Sequence, residues 1–175
     1  MRSSLLLLFA RFAVATLLSI GGRVWAKDGQ PTAADSEYAE ILVVDADTGR
    51  GVPLVELETV NGLLFVTDNA GRVAFREPGL MGTEVFFTVS SHGYEMKKDG
   101  FGFAGLKITP QAGQVSEIKL DRVNIAERLC RLTGEGLYRD SILLGYEPPI
   151  ANPLIRARIA GQDSIQTAIY NNKVY

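Results

Sequence analysis

The residues that could do chemistry come first. Asp45 and Asp47 stand two apart ahead of Gly49 in "VVDADTGRG" and echo the start of a calcium loop. Such a loop needs an oxygen ligand at its fifth position and a distal Glu. Gly49 fills the fifth position, so the stretch reads as a turn: Asp47 and Thr48 can bond nearby backbone, and Gly49 tolerates positive φ. Glu56 and Glu58 share one face of a strand and could pair as general acid and base, but the solvent face of a half-buried sheet has the same spacing and is the preferred reading. His92 is the single histidine, and "SSHGYE" lacks both the elbow glycines of a nucleophile motif and the partners of a zinc site. "DGFGFAG" (99–105) is glycine-rich, yet it has no Lys-Ser/Thr and no helix behind it, which excludes a phosphate loop. Phe101 and Phe103 are candidate ligand-binding residues, able to stack on a sugar, against the commoner arrangement in which such aromatics pin a loop to the core. Cys130 is the single cysteine; it rules out an intrachain disulfide and reads as a buried, inert thiol. From these residues no catalytic residue, no metal site and no cofactor is expected.

The elements that would position these groups follow from periodicity. "EYAEILVVDA" is a strongly apolar strand. "VPLVELETV" alternates, with Leu54, Glu56 and Glu58 on one face and Val55, Leu57 and Thr59 on the other. Asn61-Gly62 signals a hairpin into "LLFVT", and "DNAG" turns back to "RVAF". "EVFFTVSS", "LKIT" and "VSEIKLD" supply further strands. Short strands with frequent turns give an all-β fold, a small antiparallel sandwich over residues 37–122. Alternation points Val43, Val55, Leu57, Phe75, Phe87 and Ile118 inward. Residues 123–153 then read as one short helix and an irregular connector. Asn124 and Glu127 form a capping box, Ile125, Leu129 and Leu132 an apolar stripe, and Gly134 the stop. Residues 154–175 read as an incomplete strand pair turning on Asn171-Asn172.

Order and spacing of several of these turns resemble a known family. The strand ending at Asp45, Thr48-Gly49, Pro53, Thr67-Asp68, Gly71 and Gly93-Tyr94 resemble the carboxypeptidase regulatory-like domains, which are transthyretin-like β-sandwiches. The resemblance covers about half the chain and departs from the family pattern at Gly51, an extra residue before Val52-Pro53. It does not imply peptidase activity, because in that family the zinc site lies in a separate catalytic domain. Residues 124–145 and 161–175 look like the connector and first blade strands of secreted bacterial proteins in which such a sandwich precedes a glycosidase-like β-propeller. That second resemblance makes Asp163, in "GQDS", a candidate for a carboxylate pointing into a ligand pocket. It also implies that the chain is a fragment of a longer parent.

Composition bounds the rest. The chain has 175 residues, 46% hydrophobic, with net charge -2, and nothing in it suggests a general nucleic-acid binder. Residues 1–26 carry Arg2, an apolar stretch and a small-residue cleavage site at Val24 and Ala26, the pattern of a signal peptide. Residues 12–22 are its longest uncharged run, too short to span a membrane, so no stable anchor is expected. Cleavage would remove Arg2, Arg11 and Arg23 and no acid, taking the charge from -2 to -5. Residues 27–36 read as a flexible leader. The expectation is a secreted or periplasmic, cell-surface accessory module without catalysis. It would position a downstream domain and contact glycan or extracellular protein. The alternatives are the N-terminal fragment of a propeller hydrolase and a carbohydrate-binding module.

Overall fold

A computed structural model describes residues 37–151, 153, 155, 159 and 169–174. It is all-β with one short helix. Strands β1 (Ala39–Asp45), β4 (Arg72–Phe75), β6 (Tyr94–Glu95) and β8 (Val115–Arg122) form one sheet in the order β4-β1-β8-β6. Strands β2 (Glu56–Thr59), β3 (Leu64–Val66), β5 (Val85–Ser90) and β7 (Gly105–Ile108) form a second, ordered β3-β2-β5-β7. All pairings are antiparallel except β1 with β8, where Val43 lies opposite Ile118. The expected signal peptide and leader, residues 1–36, lie outside the described residues, as does Asp163.

The period-two pattern decides the packing. Val43, Phe75 and Ile118 from the first sheet meet Val55, Leu57 and Phe87 from the second, and all six are essentially inaccessible to solvent. Phe75 is the joint between the layers, with its ring centroid 5.0 Å from Phe65 and 5.6 Å from Phe87. Offset and edge contacts of this kind add about 0.5–1.5 kcal/mol beyond area burial. Glu56 and Glu58 are exposed, on the solvent face of β2.

Strand β1 departs from alternation because both its faces are covered, which is what its continuous apolar run requires. The cover on its outer face comes from residues 123–149, which form a strap. Here the structure corrects the sequence. No helix occupies 124–132; that stretch is extended and irregular, and the short helix α1 (Arg139–Leu143) comes later. Sandwich side chains take the backbone groups that helical bonds would use: Tyr94 Oη accepts from Arg128 N (3.2 Å), Arg50 donates to Leu129 O (3.0 Å), and Asn69 accepts from Arg131 N (2.8 Å). A two-turn helix is marginal by itself and yields to such partners.

Cys130, expected to be buried, is exposed on this strap, since the backbone bonds on either side turn it outward. Further on, Ile155 bridges to Glu135. Strands β9 (Ile169–Tyr170) and β10 (Lys173–Val174) form the expected hairpin, with Asn171 and Asn172 both at positive φ as a two-residue primed turn demands. Among the described residues no helix is long and apolar enough to cross a membrane.

Candidate functional site

The turns that carry candidate carboxylates are structural in a specific sense. Asp45 Oδ1 accepts from Asp47 N (2.9 Å) and Thr48 N (3.1 Å), and Gly49 follows at φ +71°. Oδ2 makes no hydrogen bond among the described residues, but Arg122 Nε lies 3.5 Å away. Burial raises the carboxyl's pKa, and the Thr48 and Asp47 amides with Arg122 more than reverse this, leaving it below its ordinary value. The turn reading therefore stands, with Asp45 rather than Asp47 as its acceptor. Gly51, the departure from the family pattern, has a concrete reason. A Cβ there would sit 2.0 Å from the Ala70 carbonyl oxygen, so two loops touch backbone to backbone.

Asp68 opens the second turn and reaches further. Its Oδ1 accepts from Ala70 N (2.9 Å) and Arg72 N (3.1 Å), and its Oδ2 accepts from Ser141 N (2.8 Å) and Ser141 Oγ (2.6 Å). One side chain thus fixes a sandwich turn and the first turn of α1. Beside it, Asp140 Oδ1 accepts from Ala74 N (2.8 Å), an amide on the open edge of β4. Burial raises the pKa of Asp140, the Ala74 amide lowers it, and the neighbouring Asp68 charge raises it, for a net upward shift. Glu40, almost fully buried, accepts from Arg72 Nε (2.8 Å) and from the Tyr146 hydroxyl (2.7 Å), and the Arg72 guanidinium stacks 4.1 Å from the Tyr146 ring centroid. Burial and then Glu40 push the Tyr146 hydroxyl above its ordinary pKa.

The other end of the strap is held by Arg128. Its Nη1 donates to Pro53 O (2.8 Å), Leu54 O (3.1 Å) and Ser91 Oγ (3.2 Å), and its Nη2 donates to His92 O. Ser91 and His92, weighed above as possible catalytic residues, are thus engaged as acceptors for the strap, His92 through its backbone. Leu54 sits at φ +57°, a left-handed conformation that costs a non-glycine residue about 1–2 kcal/mol. Asn69 exchanges two 2.8 Å bonds with the Arg131 backbone, completing a row of polar fasteners.

Phe101 and Phe103 are not pinned to the core. They are 90% and 60% exposed, on a loop built by Asp99 Oδ1, which accepts from both their amides at 2.9 Å. A cleft of about 750 Å³ opens next to this loop, lined by Val89, Tyr94, Met96, Lys97, Lys98 and Asp121 among others. It mixes apolar floor with charged and hydroxyl groups. Among the described residues no group of three or more His, Cys, Asp or Glu could hold a metal ion.

Sequence reasoning found the two aromatics but missed the strap's fasteners Arg128, Asp68, Asp140, Ser141 and Glu40. One signal was available: the uninterrupted apolar run of β1 demands a second cover, and only residues after β8 were left to supply it. In comparison with known proteins, the sequence matches no protein-family model and no curated protein.

Proposed function

We propose that this protein is a secreted, non-catalytic accessory module: a carboxypeptidase regulatory-like sandwich that holds the chain leaving it in a fixed direction, so as to position a domain that follows. One observation carries this reading. The strap is fastened at intervals along its length, at Arg128, Arg131, Ser141, Asp140 and Tyr146, to loops and strands of the sandwich. A linker that only joined two folded units would not engage buried carboxylates; free linkers are polar and solvated. Here Leu137 is fully buried and Glu40 nearly so, which makes the strap part of the fold.

The exposed aromatics favour a second activity on the same module, contact with a glycan. Phe101 and Phe103 offer two apolar faces beside a cleft of mixed polarity, the combination that a polyhydroxylated ligand uses.

A distance measurement tests the positioning role. Spin labels at Glu58→Cys and Glu147→Cys, in a Cys130→Ser background, should give one narrow distance distribution in the full chain. Arg128→Ala should broaden it. A distribution as broad as that of a free linker in the parent protein would remove the positioning reading. Titration with glycan libraries, read by chemical-shift changes at Phe101 and Phe103 amides, tests the ligand reading separately.

A further inference from the structure

The strap turns its chemistry inside out. Its charged residues face inward: Glu127 lies 3.6 Å from Arg50, Arg128 is bound to the oxygens of Pro53, Leu54, Ser91 and His92, and Arg131 donates to Asn69 and to Glu135 O. What it leaves outside is uncharged. Val123, Ile125, Leu129 and Leu132 are each more than half exposed, Ile125 completely, with Asn124, Ala126 and Cys130 also at the surface. Four large aliphatic side chains within ten residues, with no exposed charge among them, are unusual on a monomer's surface.

We propose that this face packs against the same face of a second copy of the chain. The charge pattern selects that occupant. Across a twofold axis each central residue meets itself or its near neighbour, so any charge there would face its like. From residue 123 to 134 every charged side chain is half-buried and already bonded within its own chain, which leaves nothing to repel. An acidic or basic partner protein finds no counter-charge on this face, and an anionic membrane finds no exposed cation. A standard interface covers about 800 Å² per partner. The strap supplies its apolar centre, and the loops it crosses, residues 50–54 and 91–93, supply the rim.

Cys130 serves as a built-in reporter, since strap-to-strap packing brings the two thiols to the same interface. The experiment uses the full chain in sedimentation equilibrium from about 1 to 100 µM, a range centred on micromolar affinity, with bismaleimide cross-linking in parallel. A reversible dimer with a cross-link through Cys130 is expected. Ile125→Asp, at a side chain that touches no core, should weaken the dimer at least about 30-fold, roughly 2 kcal/mol, and abolish the cross-link, while the unfolding midpoint of dilute protein stays unchanged. A chain that is monomeric throughout this range overturns the proposal. So does a dimer that survives Ile125→Asp, or one that cannot be bridged through Cys130. A dimer dissolved by Ile169→Asp and not by Ile125→Asp would place the contact on the β9–β10 hairpin and overturn it equally.

Discussion

In the sandwich, Phe75 lies between Phe65 and Phe87, and no polar group takes part in the contact. In the strap, Arg128 reaches four oxygens from the loops around residues 53 and 91, while Ile125, Leu129 and Leu132 around it stay uncovered. Two parts of one chain are thus held by opposite means. Apolar burial is non-directional and forgiving, and it tolerates any sequence that keeps the alternation. Polar fastening is directional: it fixes one orientation and fails when a single partner is lost. A module that must be stable and also aim its exit has use for both.

The largest expected effect lies in the sandwich. Phe87→Ala removes a fully buried ring that touches Phe75 and should cost about 3–5 kcal/mol. Because the strap's partners belong to the sandwich, both regions should unfold together in denaturant. A midpoint change under about 0.5 kcal/mol would mean that the two sheets do not share the core described here.

Arg128→Ala should cost less and act elsewhere. The lost bonds have a charged donor, each worth about 1.5–3 kcal/mol in favourable settings, but several of these sites are open to water. A net loss of about 2–3 kcal/mol from the strap is expected. Hydrogen exchange should report it locally: amides of residues 123–134 lose protection while those of β1 and β8 keep theirs. Equal loss in both regions would show that strap and sandwich are one cooperative unit, and the contrast drawn above would fall.

The same contrast explains what could be read from sequence. Val43, Val55, Leu57, Phe75, Phe87 and Ile118 follow a period of two, which each strand imposes locally, so all six inward assignments match the buried core. The Asx turns at Asp45 and Asp68 were legible for the same reason, since their bonds span two to four residues. The strap was not. Its Arg128 fasteners reach partners 36 to 75 positions away, and Asp140 and Ser141 reach 66 and 73, and no local pattern encodes such distances. Worse, the spacing of Ile125, Leu129 and Leu132 imitates a helix, and that signal prevailed because the competing partners could not be seen. The Phe101–Phe103 loop lies between these cases. Its residues were singled out, but their exposure rests on the way Asp99 gathers both amides.

The smallest effect, and the sharpest separation of the two regions, should come from pH. Asp45 in the sandwich and Asp140 at the strap are both carboxylates with an ordinary value of 3.8, shifted in opposite directions. Asp45 is lowered: the stability it contributes is present above its ordinary pKa and is lost as pH falls through the depressed folded value. Asp140 is raised: its favourable contribution is present below its ordinary pKa and is lost as pH rises through the elevated folded value. At neutral pH the Asp140 charge therefore works against its own burial and against Asp68 nearby. Asn keeps an oxygen for the Ala74 amide and carries no charge. Asp140→Asn should accordingly stabilise the protein at pH 7 by a small amount, about 0.5 kcal/mol, and lose that advantage on acidification below the raised pKa. Asp45→Asn should do the reverse in part, being destabilising at pH 7 through loss of the Arg122 partner and converging on the parent protein in acid. Urea midpoints for the three proteins at several pH values, with exchange of the Ala74 amide followed alongside, give the comparison directly. If Asp140→Asn is destabilising at pH 7 by more than about 1 kcal/mol, the charge itself holds the Ala74 edge, and the strap's acidic end works as an ionic clamp rather than as a hydrogen-bond acceptor under electrostatic strain.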